Sequence, residues 1–209
     1  AAIHHRLKTL GVDWVVYVTD LGQAEHFHMC FEAAEKAGWT SSDGRLCHVG
    51  FGVVQGEDGK RFKTRSGETV RLVDLLDESV TRMEKSLKDR VAEGKCALSP
   101  DEVKSAAEKI GYGAVKYADL HQHPATNYKF SYDKMLSTSG NTAVYLLFAH
   151  ARLASIVRKA SAKGVDAKQA ASKTMDLCVH PKERALAFEL TQFSGVVASV
   201  AEEFLPVRV

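Results

Sequence analysis

The sequence predicts an α/β fold in its N-terminal half, followed by an all-helical region. Three observations predict it: two short runs of β-branched and apolar residues, an amphipathic helical pattern between them, and helical periodicity through most of the remaining chain. A strand, a helix and a strand within about forty residues form a βαβ unit, which is typical of a parallel sheet. In such folds we expect ligands at the carboxyl ends of the strands.

The first strand is predicted over residues 12–20 (VDWVVYVTD), because apolar side chains on both of its faces suit a central strand. A helical stripe follows, and Gly38 is placed to end that helix. The second strand is predicted over residues 46–54 (LCHVGFGVV). Its two glycines suggest backbone that a ligand or a neighbouring segment approaches closely. The stripe consists of Phe27, Cys30, Phe31 and Ala34.

Helical periodicity resumes at Leu72 and continues to the end of the chain. Residues 99–102 (SPDE) predict a helix start, because they supply a serine N-cap, a proline at the first helical position and the glutamate of a capping box. Further helices are predicted over GYGAVKYADL, SYDKML and NTAVYLLFAHARLASIVRKA. Two more helical stretches close the chain, the second from about Lys182.

A basic loop, GKRFKTRSGETVRL, lies between the second strand and the helix at Leu72. Several cations with hydroxyl donors between them suit an anion, and phosphate fits that chemistry. The order of residues is not that of a Walker loop. The alternative is a solvated basic loop that holds no ligand. Its cations are Lys60, Arg61, Lys63 and Arg65.

Composition limits the function classes. The chain has 209 residues, 45% of them hydrophobic, which is enough for one substantial core, and a formal net charge of +2, which excludes a globally basic nucleic-acid-binding surface. No segment has the length of a membrane span, and no signal peptide is visible. The four cysteines form no C-x-x-C pair, so we expect reduced thiols in a cytosol-like compartment.

Two histidine pairs are candidate metal ligands, His26 with His28 and His121 with His123. Residues two apart on a helix point to different faces, and no cysteine or carboxylate completes a tetrahedral set, so we predict no metal site. Tyrosines at helical spacing could stack on nucleotides or could be core or half-buried residues, and for most of them we expect a core or half-buried position. Tyr128 is the exception, because it lies in an apparent loop beside Lys129.

Five segments, in this order, have a common resemblance: VVYVTDLGQAEHFHMCFEAAEKAGW, HVGFGVVQGEDGKRFKTRSGETVRLVDLLDE, YGAVKYADL, NYKFSYDKML and GNTAVYLLFAHARLASIVRKA. Together they resemble the arginyl-tRNA synthetases of class I, of the eukaryotic cytosolic type. The resemblance implies that residues 1–95 are the second half of a Rossmann-type nucleotide-binding catalytic domain with a KMSKS-type loop. It implies a helical region that contacts the tRNA stem over residues 96–140. Residues 141–209 would be the truncated start of a helical anticodon-binding domain.

The resemblance also implies which residues form the site. Lys63, Thr64 and Arg65 occupy the position of the KMSKS loop, although they depart from its consensus, and would contact ATP or the developing pyrophosphate. Gln23 matches a glutamine of the arginine pocket. The implied nucleotide site comprises His26, His48, Gly50, Gly52 and Val53. The implied RNA-facing residues are Asn127, Tyr128 and Asn141.

The function that the resemblance implies is arginine–tRNA ligase, with Mg-ATP, L-arginine and tRNA-Arg as substrates. The HIGH motif of class I synthetases is absent and the chain begins at Ala1, so we expect a partial chain that is inactive alone. Its partner would be the missing synthetase half or a larger complex, in the cytoplasm, or in an organelle if a leader was removed. The alternative is an inactive synthetase-derived fragment that serves as a structural or RNA-contacting subunit. A generic nucleotide-binding module is a third hypothesis.

Overall fold

A computed structural model of the chain describes residues 1–40, 45–56, 59, 71–166 and 180–208. The chain forms two compact units. The first comprises residues 1–62 and 122–130, and the second comprises residues 63–121 and 131–209.

The first unit is α/β. Its helices are α1 (Ala2–His4) and α2 (Ala24–Lys36), and its strands are β1 (Trp14–Asp20), β2 (Arg45–Phe51), β3 (Val54–Gln55) and β4 (Tyr128–Lys129). A π-helix (His5–Thr9) follows α1, and a 3-10 helix (Leu21–Gln23) joins β1 to α2.

The regular secondary structure of the second unit is helical over its described residues. It consists of α3 (Leu72–Ala92), α4 (Pro100–Leu120), α5 (Tyr132–Met135), α6 (Ala143–Ala162), α7 (Pro181–Glu203) and a 3-10 turn (Pro206–Arg208). The predicted helical stretch before α7 lies outside the described residues.

The predicted βαβ unit is confirmed. β1 and β2 pair in parallel over their whole length, from Trp14 opposite Arg45 to Asp20 opposite Phe51. α2 crosses between them and ends at Lys36, and Gly38 follows with a φ of 66°, a backbone conformation that favours glycine. Within the described residues this sheet has two strands, and Val18 on β1 is 62% exposed, so the central position of β1 stays a prediction.

The second predicted strand, 46–54, is wrong as a single element. β2 ends at Phe51, and β3 forms a separate parallel pair with β4, in which Val54 lies opposite Tyr128. Between them the Gly52 N–H donates to the Pro124 carbonyl over 2.7 Å, which draws the chain away from β1. Tyr128 therefore belongs to a strand and not to the loop that its surroundings suggested. The described part of the C-terminal half, which was predicted to be all-helical, therefore includes the two-residue strand β4.

In the second unit, α3 and α4 pack closely through small residues. Ser79 on α3 is fully buried, and its hydroxyl donates to the Leu76 carbonyl over 2.7 Å. On α4, Gly111 is buried and lies directly against the backbone of Ser79 and Val80. The absence of a side chain at Gly111 is what lets the two helices approach this closely.

The predicted start of α4 is confirmed. The Ser99 hydroxyl accepts from the Glu102 N–H, and the Glu102 carboxylate accepts from the Ser99 N–H over 2.8 Å. Donation to this carboxylate from the Ser99 N–H, and also from the Ser99 hydroxyl, lowers the pKa of Glu102. The segment GYGAVKYADL, predicted as a helix, is the second half of α4.

The last two long helices present apolar surface. Thr142 caps α6 by accepting from the Tyr145 N–H, but the helix exposes much of its surface, and α7 buries no side chain. Phe188, Leu190 and Phe193 of α7 are each about three-fifths exposed or more. Of the helices that the structure describes, none combines the length and the apolar character that crossing a membrane requires.

The contact between α3 and α4 predicts opposite effects for two neighbouring glycines of α4. A Cβ on Gly111 would lie 2.9 Å from the Val80 backbone nitrogen, so Gly111→Ala forces the helices apart and lowers the free energy of unfolding by about 1–3 kcal/mol. Gly113 has nothing within 4 Å of a Cβ, so Gly113→Ala raises it by up to about 1 kcal/mol through helix propensity. Urea denaturation of both variants measures the two changes. Equal shifts would contradict the assigned close contact.

Candidate functional site

The carboxyl end of β1 presents Gln23. The Asp20 side chain accepts from the Gly22 N–H over 2.9 Å and turns the chain into the 3-10 helix that leads to α2. Gln23 ends that 3-10 helix, directly precedes α2 and is exposed. The carboxamide that the sequence predicted as an arginine contact therefore lies at the sheet edge where ligands of α/β folds bind.

An aromatic cluster joins α2 to the sheet. The ring of Phe27 lies 4.8 Å from that of Tyr17 on β1 and 4.9 Å from the His48 imidazole on β2, measured between ring centroids. Phe31 also contacts Tyr17, whose hydroxyl accepts from Arg6 over 2.8 Å. The helical stripe predicted from the sequence thus includes the residues that bind α2 to both strands.

His48 and His26, both predicted at the nucleotide site, have different surroundings. The His48 ring is half-buried, stacked on Phe27, and 2.8 Å from the Thr19 hydroxyl through Nε2. His26 is exposed on α2, with its Nε2 3.8 Å from the Cys30 sulfur. His48 on β2 therefore contacts both α2 and β1 within the protein, whereas the ring edge of His26 is accessible to a ligand.

The predicted adenine-binding backbone spans the end of β2 and the connection to β3. Gly50 lies in β2, whereas Gly52 and Val53 lie after its end. The Gly52 N–H is bonded to Pro124, and the Val53 N–H donates to the Asn127 side-chain oxygen over 2.6 Å. Since both N–H groups are engaged within the protein, a nucleotide base would meet this segment through contact with its backbone surface rather than through these donors.

Asn127 and Tyr128, predicted to contact RNA, connect two segments of the first unit. Asn127 accepts from Val53, and the Tyr128 N–H donates to the Val53 carbonyl over 3.2 Å. Sequence reasoning missed this structural task of Asn127. No local signal in the sequence indicated it, because Asn127 and Val53 are 74 residues apart.

Asn141, the third residue predicted to contact RNA, lies in the second unit just before α6. Its side-chain oxygen accepts from the Tyr117 hydroxyl, and the Tyr117 ring stacks on His121 with centroids 5.3 Å apart. These contacts attach the start of α6 to the end of α4. Tyr117 was expected to be a core or half-buried residue; it is half-buried, and its hydroxyl also forms this hydrogen bond.

The predicted catalytic residues Lys63, Thr64 and Arg65 lie outside the described residues. The described chain resumes at Arg71, whose guanidinium donates to the Asp74 carboxylate at 2.7 and 2.9 Å. This hydrogen bonding lowers the pKa of Asp74 and raises that of Arg71. Asp74 also accepts from the Arg71 N–H and thus caps the helix that follows the basic loop, where a carboxylate suits the helix dipole.

The structure gives the remaining titratable candidates local partners. His28 contacts the Glu32 carboxylate at 3.2 Å on α2, and no group of three or more His, Cys, Asp or Glu side chains in the described ranges could hold a metal ion. An apolar cavity of about 350 Å³ lies in the first unit beside α1, β1 and α2. Tyr17, Phe27 and Cys30 line it. No chemistry-bearing cluster accompanies it among the described residues.

Comparison with known families gives two matches. Residues 1–132 match the family described as tRNA synthetases class I (R), catalytic domain. Residues 146–209 match the DALR anticodon binding domain. The first match covers most of the chain and includes Gln23, the predicted nucleotide site and the basic loop.

Curated relatives agree with these matches. The chain is 49% identical to arginine–tRNA ligase, chloroplastic/mitochondrial, from Arabidopsis thaliana over 98% of its own length and 32% of that protein. It is 47% identical to the cytoplasmic arginine–tRNA ligase of the same plant and to the enzyme of a Cyanothece species. The chain spans about a third of the length of these relatives.

Solved structures share the fold. Arginyl-tRNA synthetase from Plasmodium falciparum superposes with a TM-score of 0.82 at 29% identity, covering 99% of this chain and 33% of that one. The Thermus thermophilus arginyl-tRNA synthetase superposes with a TM-score of 0.75 at 25% identity, covering 94% of this chain and 30% of that one.

The connection after β2 predicts that Gly52 is intolerant of a side chain. A Cβ at Gly52 would lie 2.6 Å from the carbonyl carbon and oxygen of Thr126, so Gly52→Ala displaces the segment that carries Asn127. We expect a loss of about 1–3 kcal/mol of stability in the first unit and faster hydrogen exchange at the Val53 amide. Gly195→Ala, where nothing lies within 4 Å, is the control. An unchanged Val53 exchange rate would refute the contact.

Proposed function

Because the chain belongs to the class I arginyl-tRNA synthetases, we propose that it is part of an arginine–tRNA ligase that activates arginine with ATP and transfers it to tRNA-Arg. The family membership rests on the match over residues 1–132. The substrates are those in the names of the relatives, arginine and tRNA, with ATP as its Mg²⁺ complex.

The proposed reaction has two steps. An oxygen of the arginine carboxylate attacks the α-phosphorus of Mg-ATP, the bond to the bridging oxygen breaks, and pyrophosphate leaves with the electron pair. A ribose hydroxyl of the terminal adenosine of the tRNA then attacks the acyl carbon of arginyl-adenylate, and AMP leaves. Both steps depend on positioning and on neutralising charge that develops on phosphate oxygens.

The observation that most directly supports this proposal is the common edge formed by the carboxyl ends of β1 and β2. Their parallel register puts Thr19 opposite Gly50 and Asp20 opposite Phe51. Gln23 follows one strand, and Gly52 with Val53 follows the other, so an amino acid and an adenine ring could bind beside each other. This is the site that parallel α/β folds use for nucleotides.

For the basic loop we propose the role of charge neutralisation. Lys63, Thr64 and Arg65 follow the nucleotide edge in the sequence and precede α3. A basic loop with hydroxyl donors could bind the β- and γ-phosphates in the transition state and release pyrophosphate afterwards.

We propose that the helical unit supplies part of the tRNA-binding surface. α6 has three arginine and lysine residues (Arg152, Arg158 and Lys159), Lys163 follows its end, and no acidic residue lies in this stretch, as suits a phosphate backbone. The match of residues 146–209 to an anticodon-binding domain supports the same role. Asn127, Tyr128 and Asn141 remain predicted contacts.

The compartment that we propose is the cytoplasm, with a chloroplast or mitochondrion as the alternative, since similar relatives have both designations.

The experiment that tests this proposal is arginine-dependent ATP–pyrophosphate exchange in the presence of tRNA-Arg, using the protein expressed from its gene at its natural length. We expect exchange, and we expect Lys63→Ala and Arg65→Ala each to lower its rate by about 100-fold, because each removes a cation from the transition state. Lys88→Ala is the matched control, since Lys88 is an exposed cation that pairs with Glu84 on α3.

Three outcomes are informative. An unchanged rate in both loop variants would refute the loop assignment while leaving the ligase activity in place. No exchange, together with no saturable rise in melting temperature with ATP or arginine, would favour the inactive RNA-contacting subunit. A rise with ATP alone would favour a nucleotide-binding module without arginine chemistry.

A further inference from the structure

Thr19 is not among the site residues that the family resemblance implied. It lies on β1 one residue before Asp20, at the carboxyl end of the strand, and its hydroxyl oxygen is 2.8 Å from Nε2 of His48. The register puts Tyr17 opposite His48 and Thr19 opposite Gly50. Since side chains two residues apart in a strand share a face, Tyr17, Thr19 and His48 lie on the face that α2 covers.

The plane of the His48 imidazole is held by apolar contact. Phe27 stacks on it at 4.9 Å with an angle of 12° between the rings. Phe27 is in turn packed against Tyr17. Stacking of this kind restricts tilting of the ring, but it does not distinguish the two orientations that a half-turn about the Cβ–Cγ bond exchanges.

A hydrogen bond does distinguish them. A half-turn of the ring would put Cε1 where Nε2 now stands, and a carbon there offers Thr19 no nitrogen to bond. Nε2 faces the Thr19 hydroxyl, and Cε1 lies 3.3 Å from the position that a Cβ on Gly50 would occupy. Thr19 is therefore the group that selects one ring orientation beside Gly50.

The orientation of His48 matters to the strand end because Gly50 is crowded from two sides. The Leu21 Cα lies 3.0 Å, and the Leu21 Cδ1 2.6 Å, from the same Cβ position. Leu21 begins the 3-10 helix that ends at Gln23, and Gly50 precedes Gly52 and Val53 by two and three residues. Leu21 and His48 therefore both pack against Gly50, between the proposed arginine edge and the proposed adenine edge.

We propose that Thr19 is a positioning residue for the adenylation reaction. It fixes the orientation of the His48 imidazole and, through that ring, the position of the Gly50–Val53 edge on which adenine binds. This inference rests on the proposed function. Thr19 need not touch the substrate. Its contribution is to the geometry of the nucleotide site and not to the chemical step.

The test uses the protein at its natural length and three variants of Thr19. Thr19→Val keeps the shape but removes the hydroxyl, and we expect the KM for ATP to rise about threefold to tenfold, with kcat within about twofold and the KM for arginine unchanged. Thr19→Ser keeps the hydroxyl, and we expect it to restore the KM for ATP. If Thr19→Val does not fold, Thr19→Ala, which also removes the hydroxyl, replaces it. Thr81→Val removes an exposed hydroxyl from α3 and is the matched control.

A spectroscopic measurement separates positioning from general loss of structure. In protein labelled with ¹³Cε1-histidine, the His48 resonance is assigned by its disappearance in His48→Gln. We expect Thr19→Val to shift and broaden or double this resonance through exchange between two ring orientations, and Thr19→Ser to return it towards its original position.

The results that overturn the inference differ from those that overturn the proposed function. An unchanged KM for ATP in Thr19→Val, an equal defect in Thr19→Ser, or a fall in kcat alone would each overturn the role of Thr19. No arginine-dependent exchange in the unsubstituted protein would overturn the proposed function, whereas the His48 spectrum would still decide whether Thr19 orients the ring.

Discussion

The parallel pairing of β1 with β2 is the constraint on which the candidate site depends. It places the two carboxyl ends side by side, so that the turn to Gln23 and the segment from Gly50 to Val53 start from one edge. α2 maintains that edge through Phe27, which contacts Tyr17 on one strand and His48 on the other. Because an amino acid and a nucleotide must react across a short distance, this fixed spacing is what the proposed adenylation requires of the first unit.

Close backbone contact without a side chain recurs in both units, with different consequences. In the first unit Gly52 admits the Thr126 backbone, and this contact brings Asn127 within reach of the Val53 N–H. In the second unit Gly111 admits the backbone of α3 and sets how deeply the two long helices pack. A glycine at such a point determines which segments meet, because any Cβ there would occupy space that backbone atoms already fill.

The second unit shows two kinds of helix. α3 and α4 bury Ser79, Met83 and Val103, so they have a core of their own within the described residues. α7 buries no side chain there although Phe188 and Phe193 are large and apolar, and its helical structure gains little from packing within the described residues. The match to the DALR anticodon binding domain over residues 146–209 begins within α6 and includes α7, so the exposed faces of α7 lie in the part of the chain that matches this domain.

The sequence alone determined the elements whose signals are local. The β-branched and apolar run of residues 12–20, the stripe from Phe27 to Ala34 and the capping box at Ser99 each predict the type of their element correctly, because their causes lie within a few residues. Tertiary structure alone decided where β2 ends, that Tyr128 is in a strand, that Asn127 bonds to Val53, and that Thr19 meets His48. The partners in these contacts are far apart in the sequence: Thr19 and His48 by 29 residues, and Val53 and Asn127 by 74. The pairing of β3 with β4 joins segments that are similarly distant. No local pattern specifies which distant partner a polar group or a strand edge will meet.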